Sequence, residues 1–242
     1  MRIDFDKCIG CEICLSYCPT QAIRVGSEEN DTVYISEDIC VECGLCRRLK
    51  ICPVDAFIES EETANFPRVV RSLFSDPNTT HKSTLVPGRG TEESKTNDVT
   101  GRTKRGEIGI CIELGRPGLG CTFNDISLMT MRLKELGVGF MENNALTAFM
   151  DSKTGRFPDT FIPQRVLSAI IEIVVKTEEL ERVFQAIMEV GREIDTVFSI
   201  GIISRFDENG ELPVLQHLAQ LGVSYAPNAK INLGLGTPLV DD

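Results

Sequence analysis

The sequence of 242 residues has no tryptophan, three tyrosines and two histidines, His81 and His217, which stand alone. Neither histidine has metal-ligand spacing, and no nucleophile–His–Asp triad or carboxylate pair is legible. No run of about 18 uncharged apolar residues occurs, so no membrane span is expected. The opening Met-Arg-Ile-Asp-Phe-Asp has no apolar export segment, which points to the cytoplasm and away from an oxidising compartment. Basic residues are the minority, 25 Lys and Arg against 36 Asp and Glu, for a net charge of −11. Phosphate neutralisation needs a basic face, so nucleic acid is not an expected partner. The charge is uneven: −7 over residues 1–63, +4 over 64–106 and −8 over 107–242.

Cysteine is what the chain has in quantity. Eight of its ten cysteines lie between Cys8 and Pro53 in two copies of one pattern. The first reads CIGCEICLSYCP, with Cys8, Cys11, Cys14 and Cys18 before Pro19. The second reads CVECGLCRRLKICP, with Cys40, Cys43, Cys46 and Cys52 before Pro53. Two residues between successive cysteines let three thiolates converge on one site, while a fourth, set apart by a longer spacer and a proline, turns away. Zinc modules usually pair two C-x-x-C arms across a longer loop, and a disulfide framework needs oxidising surroundings. Both are weaker readings than a metal-sulfur cluster.

This duplicated run, with its matching flanks Asp6-Lys7 and Asp38-Ile39, resembles the dicluster ferredoxins, over about the first quarter of the chain. The resemblance implies two 4Fe-4S clusters with crossed ligands. Cys8, Cys11, Cys14 and Cys52 would hold one, and Cys40, Cys43, Cys46 and Cys18 the other. The second copy departs from the pattern by carrying five residues, Arg47 to Ile51, where the first has three. Arg47, Arg48 and Lys50 would stand beside a cluster as a docking point for an acidic partner or as a solvated loop.

A ferredoxin portion needs only about 60 residues, so a second core must lie beyond it. Phe66 to Phe74 suggests a short amphipathic turn or strand. Ser75 to Gly106 lacks either apolar period and reads as a linker, with Arg89, Arg102, Lys104 and Arg105 interleaved with glycine as the argument for anion binding instead. Past Gly106, Ile108, Ile110, Ile112 and Leu114 alternate as a half-buried strand. Ile126, Met129, Leu133 and Leu136 recur at helical spacing, Gly137 ends the helix, and Val138 to Met141 resumes as a strand. Residues 143–165 read as an inserted loop. Ala169 to Val175 is a strand, Thr177 caps a helix bearing Leu180, Val183, Phe184, Ile187 and Ile194, and Thr196 to Ile203 is a strand. The fold class is therefore α+β: a dicluster domain at 1–63, a polar basic linker or functional loop at 64–106, and a βαββαβ sandwich at 107–242 extended by a helix, Leu212 to Leu221, and a strand, Val223 to Leu233.

LGRPGLG after a strand, followed by an amphipathic helix ending in ELGV, resembles the Arg-Pro-Gly-Leu signature of ACT domains, over about residues 107–205. The resemblance implies that Arg116, Pro117, Gly118 and Leu119 form a loop for an amino acid or other small anionic effector, and that copies associate through their sheets into a homo-oligomer. Gly115 stands where an acidic or polar residue is usual, and Gly120 to Asn124 lengthens the loop. Cys121, between Gly120 and a helix N-terminus, is where backbone N–H groups can activate a thiol; Cys111 reads as structural. GRPGLG is not a dinucleotide fingerprint, since G-x-G-x-x-G is missing.

The reading is an anaerobic electron-transfer protein with a redox partner, a carrier or accessory subunit more than a stand-alone enzyme. A second reading is a regulatory subunit whose ACT-like module binds an effector. A third is a redox enzyme using the long loop and Cys121.

Overall fold

The computed structural model describes residues 1–26, 33–82, 85, 101–116 and 118–225. Arg89, Pro117, most of the polar stretch before Gly101, and the strand expected to run on to Leu233 lie outside the described residues from position 226 onward or within the gaps.

The cysteine-rich portion is built twice. Strand β1 (Arg2–Ile3) leads into the first motif and pairs antiparallel with β4 (Phe57–Ile58), which leaves the second. Strand β2 (Ile23–Val25) leaves the first motif and pairs with β3 (Val33–Ile35), which leads into the second. Each ribbon thus joins the start of one motif to the end of the other. The hydrogen bonds repeat with the sequence: Cys8 N–H reaches Asp4 O and Cys40 N–H reaches Ser36 O, both at 2.9 Å. The core here is small, with Met1, Ile3, Ile23, Val33, Ala56 and Phe57 as its buried members, and cysteines packed against it.

The larger core belongs to a three-stranded antiparallel sheet ordered β8–β5–β9, from β5 (Glu107–Leu114), β8 (Ala169–Lys176) and β9 (Phe198–Ile203). Ile108, Ile110, Ile112 and Leu114 of β5 are all at or below 1% exposure, each worth about 1.5–3 kcal/mol of burial. Beside β8 the strand expected at Val138 to Met141 is reduced to one antiparallel bridge, Phe140 to Ile173. The two glycines flanking Val138 and the turn that follows at 142–143 leave too short an extended run for a ladder. Two helices cover the sheet, α3 (Phe123–Glu135) and α4 (Leu180–Val190), and α5 (Val214–Gln220) adds buried Val214 and Leu218. Thr122 begins α3: its hydroxyl accepts from Asp125 N–H at 3.2 Å while Asp125 accepts from Thr122 N–H at 2.8 Å. Thr177 does not cap α4. It sits in a 3-10 turn, and its hydroxyl donates to Gly106 O, fastening the end of β8 to the start of β5.

Two stretches differ from their expected roles. Phe66 to Phe74 is neither linker nor strand: α2 (Val69–Ser75) puts Val70 and Phe74 into the large core. The spacing from Val70 to Phe74, one helical turn, was the signal. The inserted loop at 143–165 is also core-forming, because Phe157 and Phe161 pack edge-on against Phe123, and Phe149 meets Phe74 and Phe161. Aromatic side chains bury enough area to seat a segment with no regular period. The strand β6 (Cys121–Thr122) pairs with β7 (Arg165–Val166), tying this loop back to the helix entry.

Candidate iron-sulfur centre

The cysteine loops turn on backbone conformations that recur at equivalent positions. Gly10 and Glu42 are left-handed, as are Glu12 and Gly44, and Gln21 and Asp55. Each copy therefore substitutes a non-glycine at one position where the other has glycine, a local strain of about 1 kcal/mol that a bound group must outweigh. After the second left-handed residue comes a short helix, Ile13–Tyr17 carrying Cys14 and α1 (Leu45–Arg48) carrying Cys46. The two extra residues of the second copy are absorbed here: Leu49 N–H and Lys50 N–H extend the turn to Leu45 O and Arg47 O, and Lys50, also left-handed, redirects the chain to Cys52.

The structure brings the eight cysteines together in two sets. Cys8, Cys11, Cys14 and Cys52 line one cavity with Ile3, Ile9, Val33 and Phe57. Cys18, Cys40, Cys43 and Cys46 line the other with Ala22, Ile23, Ile35 and Val41. The empty space, mouths included, is about 360 Å³ in the first and about 350 Å³ in the second, as an internal repeat demands. Sulfur is acceptor-rich, and each crossing cysteine receives a backbone donor, Ala22 N–H to Cys18 Sγ at 3.1 Å and Ala56 N–H to Cys52 Sγ at 3.3 Å. Burial pushes the Cys40 thiol up to about 11 and Cys46 up to about 12, with further upward pushes from Glu42 on the former and from Cys43 and Cys40 on the latter. Cys14 and Cys43 rise for the same first reason. Such thiols ionise at neutral pH only against a metal's positive charge. Four soft donors around an apolar hollow suit a body with volume of its own.

The charges near the second set form a network that the sequence reading did not find. Arg68 donates to Glu42 at 2.7 Å, and Glu42 also accepts from the Met1 amino group. Arg71, 5% exposed, donates to Glu37 O, Cys40 O at 2.8 Å and Gln164 Oε1 at 2.7 Å. Their spacing, three apart in a segment with apolar residues at helical intervals, is what could have shown them on one face. The expected docking trio is partly committed: Arg47 pairs with Glu59, and Arg48 bonds Cys43 O at 2.7 Å and Asp76 at 2.8 Å.

The other candidates separate. Arg116 is exposed and pairs with Glu113 at 3.3 Å. Leu119 is exposed, and its carbonyl accepts from Arg165. Gly118 and Gly120 face the cysteine-rich portion: a Cβ on Gly118 would lie 3.4 Å from Pro19 O, and one on Gly120 3.7 Å from Thr20 and 2.8 Å from Val166 O. The turn is thus also a packing surface beside Cys18. Cys121 is fully buried, which keeps its thiol from any substrate. Cys111 sits on the sheet face away from the helices, and burial, with Glu172 and Glu113 adding to it, pushes it up to about 12. Arg102 approaches the Met141 sulfur, and Arg205 donates to Thr103 O. Lys104 donates its backbone N–H to Glu107.

Residues 7–56 match the 4Fe-4S dicluster domain family. The chain is 34% identical over 63 residues to a ferredoxin of Methanothermococcus thermolithotrophicus, covering 25% of this chain and 98% of that protein. It is 37% identical over 60 residues to pyruvate synthase subunit PorD of Methanocaldococcus jannaschii, covering 25% of this chain and 65% of that protein. It is 31% identical over 71 residues to NADH-quinone oxidoreductase subunit I of Pelobacter propionicus, covering 25% of this chain and 37% of that subunit. The chain therefore spans about a third to two thirds of these two subunits. No solved structure matches it.

Proposed function

The chain belongs to the 4Fe-4S dicluster ferredoxin family through its N-terminal portion, and from that premise we propose that it carries electrons between its own clusters and a partner oxidoreductase. A bound 4Fe-4S cluster supplies one-electron storage and release. The observation that carries the reading is the crossing of the motifs: each cavity takes three cysteines from one copy and the fourth from the other. On this reading Cys8, Cys11, Cys14 and Cys52 hold one cluster, and Cys40, Cys43, Cys46 and Cys18 the other. With four thiolates each, neither cluster has an iron left for substrate, which favours electron transfer over catalysis at the metal. The apolar linings, Val33 and Phe57 on one side and Ile23 and Val41 on the other, back the sulfurs with hydrocarbon, although Cys11 on the first side is exposed.

The C-terminal body fits an ACT-like sandwich, supported by the order β9–β5–β8 with Phe140 bridged beyond β8. A second reading, a redox-linked regulatory subunit, is favoured by one contact: the glycines of the Arg-Pro-Gly turn pack on Pro19 and Thr20, directly after Cys18. The same reading places the protein in an anaerobic cytoplasm and pairs copies through the sheet face that bears Cys111.

The decisive experiment is iron and acid-labile sulfide analysis of anaerobically prepared protein with electron paramagnetic resonance after dithionite. About eight irons and two interacting reduced clusters are expected. Bound zinc without sulfide would refute the cluster assignment. Cys18→Ser and Cys52→Ser should each disturb the cluster of the opposite motif, and a disturbance confined to the residue's own motif would overturn the crossed ligand sets.

A further inference from the structure

The two cavities share their donor set and nearly their size but differ in surroundings. The first lies at the surface: Cys11 is exposed, Phe5, Ile9 and Ile13 are 59%, 64% and 47% exposed, and the charged residue in its lining is Glu12. The second faces the C-terminal body and arginines. Two of its cysteines, Cys40 and Cys43, have their carbonyls hydrogen-bonded to guanidinium groups, from Arg71 and Arg48. The charge on Arg48 is shared with Asp76. That on Arg71 is not shared in this way, because its three acceptors are two backbone carbonyls and the Gln164 amide, and the nearby Glu42 is already taken by Arg68 and the Met1 amino group. Gln164 comes from the far side of the joint, so the same guanidinium bridges the second motif to the large core.

We infer that Arg71 makes the two clusters unequal, holding the second motif against the C-terminal body and giving the second cluster the higher reduction potential. The inference rests on the ligand sets proposed above. Reduction adds one negative charge to a site already surrounded by four thiolates, and a buried cation favours that state most where water does not screen it. The exposed first cluster is then the entry, and an electron donated there by an external one-electron reductant moves on to the second. The same electron leaves one cluster and arrives on the other, with no proton taken up and no bond made or broken. It comes to rest beside α2, at the edge of the C-terminal body.

The test is a potentiometric titration of the anaerobic full-length protein with dithionite, followed by electron paramagnetic resonance. Cys11→Ser marks the signal of the first cluster. In the wild type the marked signal should belong to the lower of two potentials; finding it at the higher potential, or finding one shared potential, overturns the inference without any change at Arg71. Arg71→Met should lower the higher potential alone and draw the two steps together, while Arg71→Lys restores most of the separation. Equal shifts in both steps, or none, with both clusters loaded, would leave Arg71 a structural bridge only. Arg71→Gln, which keeps a donor for the Cys40 carbonyl and loses the charge, is read in the same way where the methionine variant loads poorly. Fewer than two clusters in the wild type would instead refute the reading beneath the inference, so the two failures are told apart by the iron count.

Discussion

The N-terminal and C-terminal portions are stabilised in different currencies. Among the described residues, six buried apolar side chains form the core around the cysteines, whereas 28 form the core around the sheet. The first portion accepts left-handed backbone at Glu12, Gln21, Glu42, Lys50 and Asp55, five non-glycine residues in little more than forty positions. Non-glycine left-handed residues among the described part of the C-terminal body are not found beyond Leu85. A segment with so little apolar burial and so much local strain needs its metal as a structural member. The described part of the C-terminal body has a large apolar core instead.

The largest test removes the iron. Chelation under anaerobic conditions should cost the first portion its fold, since structural metal sites contribute on the order of 10 kcal/mol to small domains. Amide exchange over residues 1–58 should become fast while β5, β8 and α3 stay protected. Slow exchange in the cysteine loops of the iron-free protein would break the comparison. The reverse experiment is Phe123→Ala. Phe123 is fully buried, with its ring against those of Phe74, Phe157 and Phe161, and its loss should cost about 3–5 kcal/mol by denaturant titration. The cluster spectra should be unaltered so long as the C-terminal body stays folded.

The joint between the portions gives a smaller effect. Gly120 has φ +71°, and an added Cβ would meet Val166 O at 2.8 Å, so Gly120→Ala should cost about 1–3 kcal/mol. If the turn is also a lever on the second motif, the resonance of the cluster beside Cys18 should change as well. A stability loss with no spectral change would confine the turn to packing.

The same contrast governs what the sequence disclosed. The cysteine spacing was legible because metal geometry is written in consecutive residues, and the strand and helix periods of Ile108 to Leu114 and Ile126 to Leu133 were legible because burial on one face is periodic. What escaped was non-local. Phe149, Phe157 and Phe161 lie in a stretch broken by Gly155, Pro158 and Pro163, yet Phe157 and Phe161 meet Phe123, Phe149 meets Phe161 and Phe74, and together they turn an apparent loop into core. Arg71 looked like part of a basic linker; only its position on α2 takes it to Cys40 O and Gln164. Cys121 looked reactive from its place before a helix, but β6 pairs with β7 and buries it.

The cap of α3 sharpens the comparison at about 1 kcal/mol, the expected cost of Thr122→Ala, with no consequence for the clusters. The smallest effect is a pH dependence at the edge of the large core. His81 is 2% exposed, its Nε2 donates to Leu73 O at 2.6 Å, and its ring lies 4.9 Å from that of Phe74. Burial holds its pKa below the ordinary 6.5, and the Leu73 bond offsets only part of that. The unfolded chain therefore takes up a proton at this residue before the folded one does. Stability should be full above the unfolded value and decline as pH falls through 6.5 toward the lower folded value, levelling below it. His81→Gln keeps a donor for Leu73 O and has no proton to gain, so its denaturation midpoint should lose that slope. Because α2 carries Arg71 as well as Leu73 and Phe74, following the second cluster's resonance over the same pH range asks whether the slope crosses the joint. A constant resonance while the midpoint falls would keep the effect within the C-terminal core, where the contrast between the portions places it.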